Sequence, residues 1–224
     1  MPKKKNKKDN IIIEDNENIY TLIFLHGLGD EGTSWIFFAR ELKKYIKKLR
    51  VILPNAEENL ITINTENMSS WFDITEFPIT KNYSDNGKYK DKTEEKIINI
   101  IDKEIESGIK MENLLLGGYS QGAAMALDFY LNHNLNFGGI VVLSGWLINK
   151  NILNKQKNSN IPIFIGHGEK DDIVLFENAI LMKQNLEKNG INNLEYKTYP
   201  NMRHNTSINE INDIIKWFNK KVKL

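Results

Sequence analysis

The pentapeptide Gly118-Tyr119-Ser120-Gln121-Gly122 carries the residue types that nucleophilic catalysis needs. It follows the apolar run Leu114-Leu115-Leu116 and opens the small-residue stretch Gly122-Ala123-Ala124-Met125-Ala126-Leu127. Strand, one-residue corner and helix, with Ser at the corner and Gly two places to either side, is a nucleophile elbow. So tight a turn strains the backbone of Ser120. It also brings the residues two before and two after nearly into contact, which calls for glycine at both. A serine hydroxyl attacks only as a base removes its proton, and the usual base, histidine, needs an acid to hold its tautomer.

Around an elbow of this kind the partners follow in the chain order Ser, acid, His, each on a turn after a strand, because those turns converge on one edge of the sheet. Of the four histidines, His26 precedes the serine. His133 ends the elbow helix on the wrong side of the sheet, and His167 ends a strand with no strand-end acid between it and Ser120. His204, after the last strand and before the last helix, meets the requirement. The apolar run 161–165 leads into Gly166-His167-Gly168-Glu169-Lys170-Asp171-Asp172, so Glu169, Asp171 and Asp172 are all candidate acids, and spacing does not choose among them. The oxyanion of the tetrahedral intermediate needs backbone N–H donors, each worth about 3–4 kcal/mol of barrier. One is the N–H of Gln121. The other comes from the turn His26-Gly27-Leu28-Gly29-Asp30, most simply from Leu28. That turn lacks the G-x-x-x-x-G-K-S/T pattern and a third glycine, which argues against a phosphate loop.

The elements that must carry these residues alternate between strand and helix. Residues 19–25 form a near-continuous apolar run, the mark of a strand buried on both faces. Trp35, Phe38, Ala39, Leu42, Tyr45 and Ile46 then fall at helical spacing. Strands follow at 51–53, 114–116, 140–143, 161–165 and 194–198. A long helix is expected from Asp91, capped by Asp91 with Glu94 and ended at Gly108, and others at about 122–132, 175–188 and 208–218. The pattern predicts a three-layer α/β domain with a mainly parallel sheet over residues 19–224, behind a basic disordered tail over 1–18. Residues 80–92 read as a surface loop with an Asp85-Asn86-Gly87 turn. Residues 55–79 are apolar yet lack a long periodic element, so their side chains either plug the core or line a greasy groove.

The 224 residues hold 30 Lys plus Arg against 29 Asp plus Glu, a net charge of +1, which gives no case for nucleic acid. With no cysteine, disulfides, thiolate zinc sites and a cysteine nucleophile are excluded. No apolar run reaches membrane-spanning length, and no hydrophobic stretch suited to a secretory signal follows Met1-Pro2-Lys3-Lys4-Lys5. A cytoplasmic protein is expected, as a monomer or weak homodimer. Its lysine tail is expected to be solvated, with transient contact to an anionic membrane surface as the alternative.

Leu25-His26-Gly27-Leu28-Gly29-Asp30, Trp71-Phe72-Asp73, Gly117-Gly118-Tyr119-Ser120-Gln121-Gly122, His167-Gly168-x-x-Asp171 and Met202-Arg203-His204 stand in that order. With this linked set, over about residues 19–221, the chain resembles the acyl-protein thioesterase/phospholipase-carboxylesterase family of α/β-hydrolases. The resemblance implies Ser120, Asp171 and His204 as the catalytic triad, so it selects Asp171. It also implies Leu28 and Gln121 as oxyanion donors, no cofactor, and S-acylated proteins, lysophospholipids or small esters as substrates. Leu60, Ile63, Met68, Trp71 and Trp146 are then the expected contacts of the acyl chain, at roughly 0.8 kcal/mol per buried methylene. Ala123, Ile148 and the absence of prolines near Asp172 and Leu175 depart from the family pattern at the rim of the site, where substrate preference is set.

Overall fold

A computed structural model describes residues 10–14, 17–149 and 160–222. The N-terminal lysines, most of the Lys/Asn-rich connection before residue 160 and the last two residues lie outside them. The described chain builds a seven-stranded sheet from β1 (Ile11–Ile13), β2 (Tyr20–Leu25), β3 (Leu49–Leu53), β6 (Leu114–Tyr119), β7 (Gly139–Leu143), β8 (Ile163–Gly168) and β9 (Leu194–Tyr199). β4 (Glu57–Ile61) and β5 (Glu66–Ser70) form a separate antiparallel hairpin. The sheet order is β1-β3-β2-β6-β7-β8-β9, parallel throughout except for β1, which runs antiparallel to β3.

Because successive side chains of a strand point to opposite faces, each buried strand feeds two cores. Ile23, Leu25, Leu116, Ile140, Val142 and Ile165 join one core with α2 (Lys90–Glu106), α3 (Gln121–Asn132) and α4 (Glu177–Lys188). Leu22, Phe24, Leu115, Val141, Leu143 and Phe164 join the other with α1 (Ile36–Tyr45) and α5 (Ile208–Lys221). This is the expected three-layer arrangement.

Two expectations are corrected. The stretch assigned to the tail contributes β1, whose Ile11, Ile12 and Ile13 pair with Leu53, Ile52 and Val51. Three β-branched residues in a row suit a strand, and here they cover the edge of β3. The long helix has no Asp91 capping box: Tyr89 takes the N-cap position with φ +70° and no side-chain cap, and Asp91 lies inside the first turn. Residues 80–89 form the expected surface loop, held to the body of the domain by the buried Tyr83 and by the Asn86 amide, which donates to Asp73 Oδ2 at 2.6 Å.

The chain runs from β2 outward to β3, then crosses back to place β6 on the other side of β2. In open α/β sheets ligands bind at such a switch point, outside the carboxyl ends of the strands. The His26–Asp30 turn leaves β2 there, and Ser120 leaves β6 beside it.

Candidate active site

Ser120 sits between β6 and α3 with φ 53° and ψ −120°. That left-handed backbone is the strain expected of the corner residue. Its N–H donates to Leu143 O at 2.8 Å, and its carbonyl accepts from Ala124 N–H at 3.0 Å. A Cβ on Gly118 would stand 2.4 Å from Gly122 C, and one on Gly122 would stand 2.2 Å from Leu25 O and 2.4 Å from His26 O. The two glycines thus let the elbow close on itself and pack α3 against the end of β2. Since backbone atoms block the added methyl, Gly122→Ala should destabilise the fold by about 3 kcal/mol. A thermal melt should then show Tm lowered by roughly 6–12 °C, and an unchanged Tm would contradict this packing account.

His204 and Asp171 converge on the serine. His204 Nε2 lies 2.9 Å from Ser120 Oγ, and His204 Nδ1 lies 2.8 Å from Asp171 Oδ2. The second contact assigns the proton to Nδ1 and leaves Nε2 free to accept from the hydroxyl. The ring of His204 lies against Tyr119, with centroids 5.0 Å apart. Asp171 is buried, and its Oδ1 accepts from the N–H groups of Ile173 at 3.0 Å and Val174 at 2.9 Å. Burial alone pushes the carboxyl up, but the hydrogen bond and charge of His204 together with the Val174 N–H outweigh it, so the group is held below the ordinary aspartate range.

The other two candidate acids are engaged elsewhere. Glu169 accepts from Thr198 Oγ1 at 2.7 Å, and Asp172 pairs with Arg203 on the surface. Asp171 is the one that the fold brings to His204. His167 is buried beside it, with Nε2 at 2.9 Å from Val174 O and 3.4 Å from Asp171 Oδ2. Burial holds this imidazole below its ordinary value and therefore neutral, so it can donate to the Val174 carbonyl.

Gln121 is the first residue of α3, so its N–H has no partner within the helix. Leu28 lies in the facing turn. Gly29, at φ +74°, donates to Ser69 O at 2.8 Å, and Asp30 accepts from Glu31 N–H and Trp35 Nε1, each at 2.8 Å. His26 is fully buried and spans the same region. Its Nδ1 donates to Gly27 O at 2.7 Å and its Nε2 accepts from Ala56 N–H at 3.0 Å, while desolvation holds it below its ordinary value. A neutral imidazole is the form that can donate and accept at once.

The Gln121 side chain adds a link that sequence reasoning missed. Its Oε1 accepts from Trp71 N–H at 3.0 Å and its Nε2 donates to Phe72 O at 2.7 Å. Trp71 in turn donates from Nε1 to His26 O at 2.7 Å. Trp71-Phe72 therefore staples the elbow to the His26 turn.

The five candidate acyl contacts separate into two groups. Trp71 and Trp146 are only 1% and 2% exposed. Trp146 packs edge-on against Phe72 and Tyr83, with ring centroids 5.9 and 5.8 Å apart, so both tryptophans belong to the core rather than to an open groove. Leu60 at 54% and Ile63 at 37% are accessible on the β4–β5 hairpin. Met68 borders a cleft of about 750 Å³ that includes Gly29, Asp30, Ala56 and Ser69 and runs beside the His26–Asp30 turn rather than over Ser120. Among the described residues, no group of three or more His, Asp or Glu is placed to hold a metal ion, and no helix is long and apolar enough to cross a membrane.

The comparisons with known proteins agree with this fold. Residues 6–222 match the phospholipase/carboxylesterase family. Acyl-protein thioesterase 1 of Saccharomyces cerevisiae is 36% identical over 211 residues, covering 90% of this chain and 92% of that protein. The crystal structure of Arabidopsis thaliana SOBER1 superposes with a TM-score of 0.84 at 31% identity, covering 91% of this chain and 99% of that one. The structure of Zea mays acyl-protein thioesterase 2 gives 0.81 at 27% identity, with coverages of 96% and 99%. The sheet, the elbow and the matched span agree, and the chain belongs to the phospholipase/carboxylesterase family of α/β-hydrolases.

Proposed function

We propose that the protein is a serine hydrolase that removes long-chain acyl groups from protein thiols, with Ser120 as nucleophile, His204 as general base and acid, and Asp171 as the group that holds His204. The observation that carries this reading is the hydrogen-bonded series Ser120 Oγ–His204 Nε2–His204 Nδ1–Asp171 Oδ2, at 2.9 and 2.8 Å. His204 Nε2 takes the Oγ proton while Oγ attacks the carbonyl carbon of the thioester. The oxyanion forms against the N–H groups of Leu28 and Gln121. Collapse breaks the C–S bond, the Nε2 proton goes to the departing sulfur, and the acyl group remains on Ser120. Water then repeats the attack with His204 as base, releasing the fatty acid and the free serine.

Acyl-protein thioesterase names recur among the relatives, and S-acylated proteins are accordingly the substrate class proposed for this chain. The accessible Leu60 and Ile63, with Met68 beside the oxyanion turn, favour a long acyl chain over a short ester. Two or three methylenes on these side chains contribute roughly 2 kcal/mol at about 0.8 kcal/mol each. The C16 thioester of a cysteine peptide should therefore be cleaved with a kcat/KM at least about tenfold above that of its C4 counterpart. Intact-mass analysis of peptide and enzyme follows both substrates and detects the transient Ser120 adduct. A steep fall beyond C8 would instead assign the protein to short-chain carboxylesterases, the second activity that its family contains.

A further inference from the structure

Glu210 is the third residue of α5, where a glutamate after an N-cap serine ordinarily reaches back to the cap at the surface. Here the Ser207 hydroxyl caps the helix by accepting from Glu210 N–H at 3.2 Å, but the Glu210 side chain turns inward and is fully buried. Neither carboxyl oxygen has a hydrogen-bond partner among the described residues. The carboxyl fills the space over Gly166 on β8: a Cβ there would stand 2.3 Å from Glu210 Oε1.

We propose that Glu210 is a positioning residue for His204, acting as an uncharged carboxylic acid wedged between the first turn of α5 and β8. The segment carrying His204 is fixed to β8 at two points. On one side of His204, the Met202 and Arg203 carbonyls lie over Gly168, where a Cβ would stand 2.2 and 2.7 Å from them. On the other, the Glu210 carboxyl lies over Gly166, one helical turn beyond the Ser207 cap. His204 is held between these points, with Tyr119 against its ring. This inference rests on His204 being the base proposed for Ser120.

No group that faces Glu210 can stabilise its ionised form by charge. Asp213 on α5 is acidic, Tyr119 on β6 and Tyr199 on β9 are phenols, and β8 presents a glycine and the Phe164 ring. Desolvation by burial, opposed by the Ser207 backbone N–H and reinforced by the Asp213 charge, pushes the carboxyl up to about 8. Both tyrosines are raised as well, first by burial and then by neighbouring carboxylates including Glu210. Ionisation would place a charge in a buried layer where the Ser207 backbone N–H does not offset the cost of desolvation. The side chain would then have to leave or draw in water, and α5 would shift off β8 with His204.

The sign follows from linkage. The folded carboxyl titrates above its unfolded value of 4.5, so the stability it contributes is complete below that value, is lost as pH rises toward about 8, and changes no further above it. Wild type, Glu210→Gln and Glu210→Ala should be compared on a butyryl ester between pH 6 and pH 10, with thermal melts at each pH. Glu210→Gln, an uncharged isostere, should keep kcat within about threefold of wild type at pH 7. It should also lack the alkaline fall in kcat and show a smaller drop in Tm from pH 6 to pH 8. Glu210→Ala should lose kcat about tenfold or more with little change in KM, as expected when a catalytic group is misplaced. Coincident alkaline limbs in wild type and Glu210→Gln, or a loss in Glu210→Gln at pH 7 equal to that in Glu210→Ala, would overturn the proposal. If Glu210→Ala does not fold, the wild-type and Glu210→Gln profiles still decide. A wild-type protein that neither hydrolyses the ester nor reacts with a fluorophosphonate would sink the Ser120–His204 reading itself, and this inference with it.

Discussion

Ser120→Ala and His204→Ala should each lower kcat on an activated ester by about 10⁶-fold, and the double variant should be no slower than either single one. The two side chains form one device. Without Nε2 at 2.9 Å, Oγ keeps its proton and is a weak nucleophile; without Oγ, the imidazole has nothing to activate. The remaining activity, about 10³- to 10⁴-fold over water, comes from the oxyanion donors and from binding, which neither substitution touches. Both variants should melt like wild type, because the elbow glycines and the Gln121–Trp71 link that shape the site remain in place. The measurement is kcat at saturating substrate with highly purified variants. Losses that multiply in the double variant would show that the two residues act in separate steps, against the mechanism.

Much of this site could be read before any coordinates, and the reasons are local. An elbow is specified by glycines that fold over one residue, and a histidine between the last strand and last helix is specified by element order. Both signals survive in one dimension. The acid was not legible in the same way. Glu169, Asp171 and Asp172 share one turn, and what separates them is tertiary: the two backbone N–H donors and burial of Asp171, the Thr198 contact of Glu169 and the surface Arg203 pair of Asp172. The β4–β5 hairpin was hidden because Glu57-Glu58-Asn59 and Glu66-Asn67 are exposed or partly so, leaving little period-2 contrast. Trp71 and Trp146 were misplaced because a large apolar ring suits a core and a groove equally. Only the indole bond to His26 O and the packing against Phe72 and Tyr83 separate these uses. β1 was lost among the charged and amide residues around Ile11–Ile13.

Asp171→Asn should lower kcat by about 10⁴-fold at pH 7 while leaving the fold and KM nearly unchanged. Asp171 has no orientation in which an amide serves. Its Oδ1 accepts from two backbone N–H groups, Ile173 and Val174. An asparagine must therefore keep its carbonyl oxygen there, since its NH₂ would face two donors. The NH₂ then occupies the place of Oδ2, 2.8 Å from His204 Nδ1, and donates to it. His204 must shift its proton to Nε2, which now points N–H at Ser120 Oγ and cannot accept the serine proton. The substitution is nearly isosteric, so a structural defect cannot stand in for the chemical one, and a melt close to wild type is part of the expectation. The ionised side chain is also the form that the site favours, with His204 and the Val174 N–H holding the buried carboxyl below its ordinary range. Its charge stabilises the imidazolium formed as Ser120 attacks, which an amide cannot do. Raising the pH should restore part of the activity in the variant, because hydroxide can take over proton removal. A kcat for Asp171→Asn within about tenfold of wild type at pH 7 would mean that His204 reaches its working tautomer without Asp171, and that the carboxylate only packs.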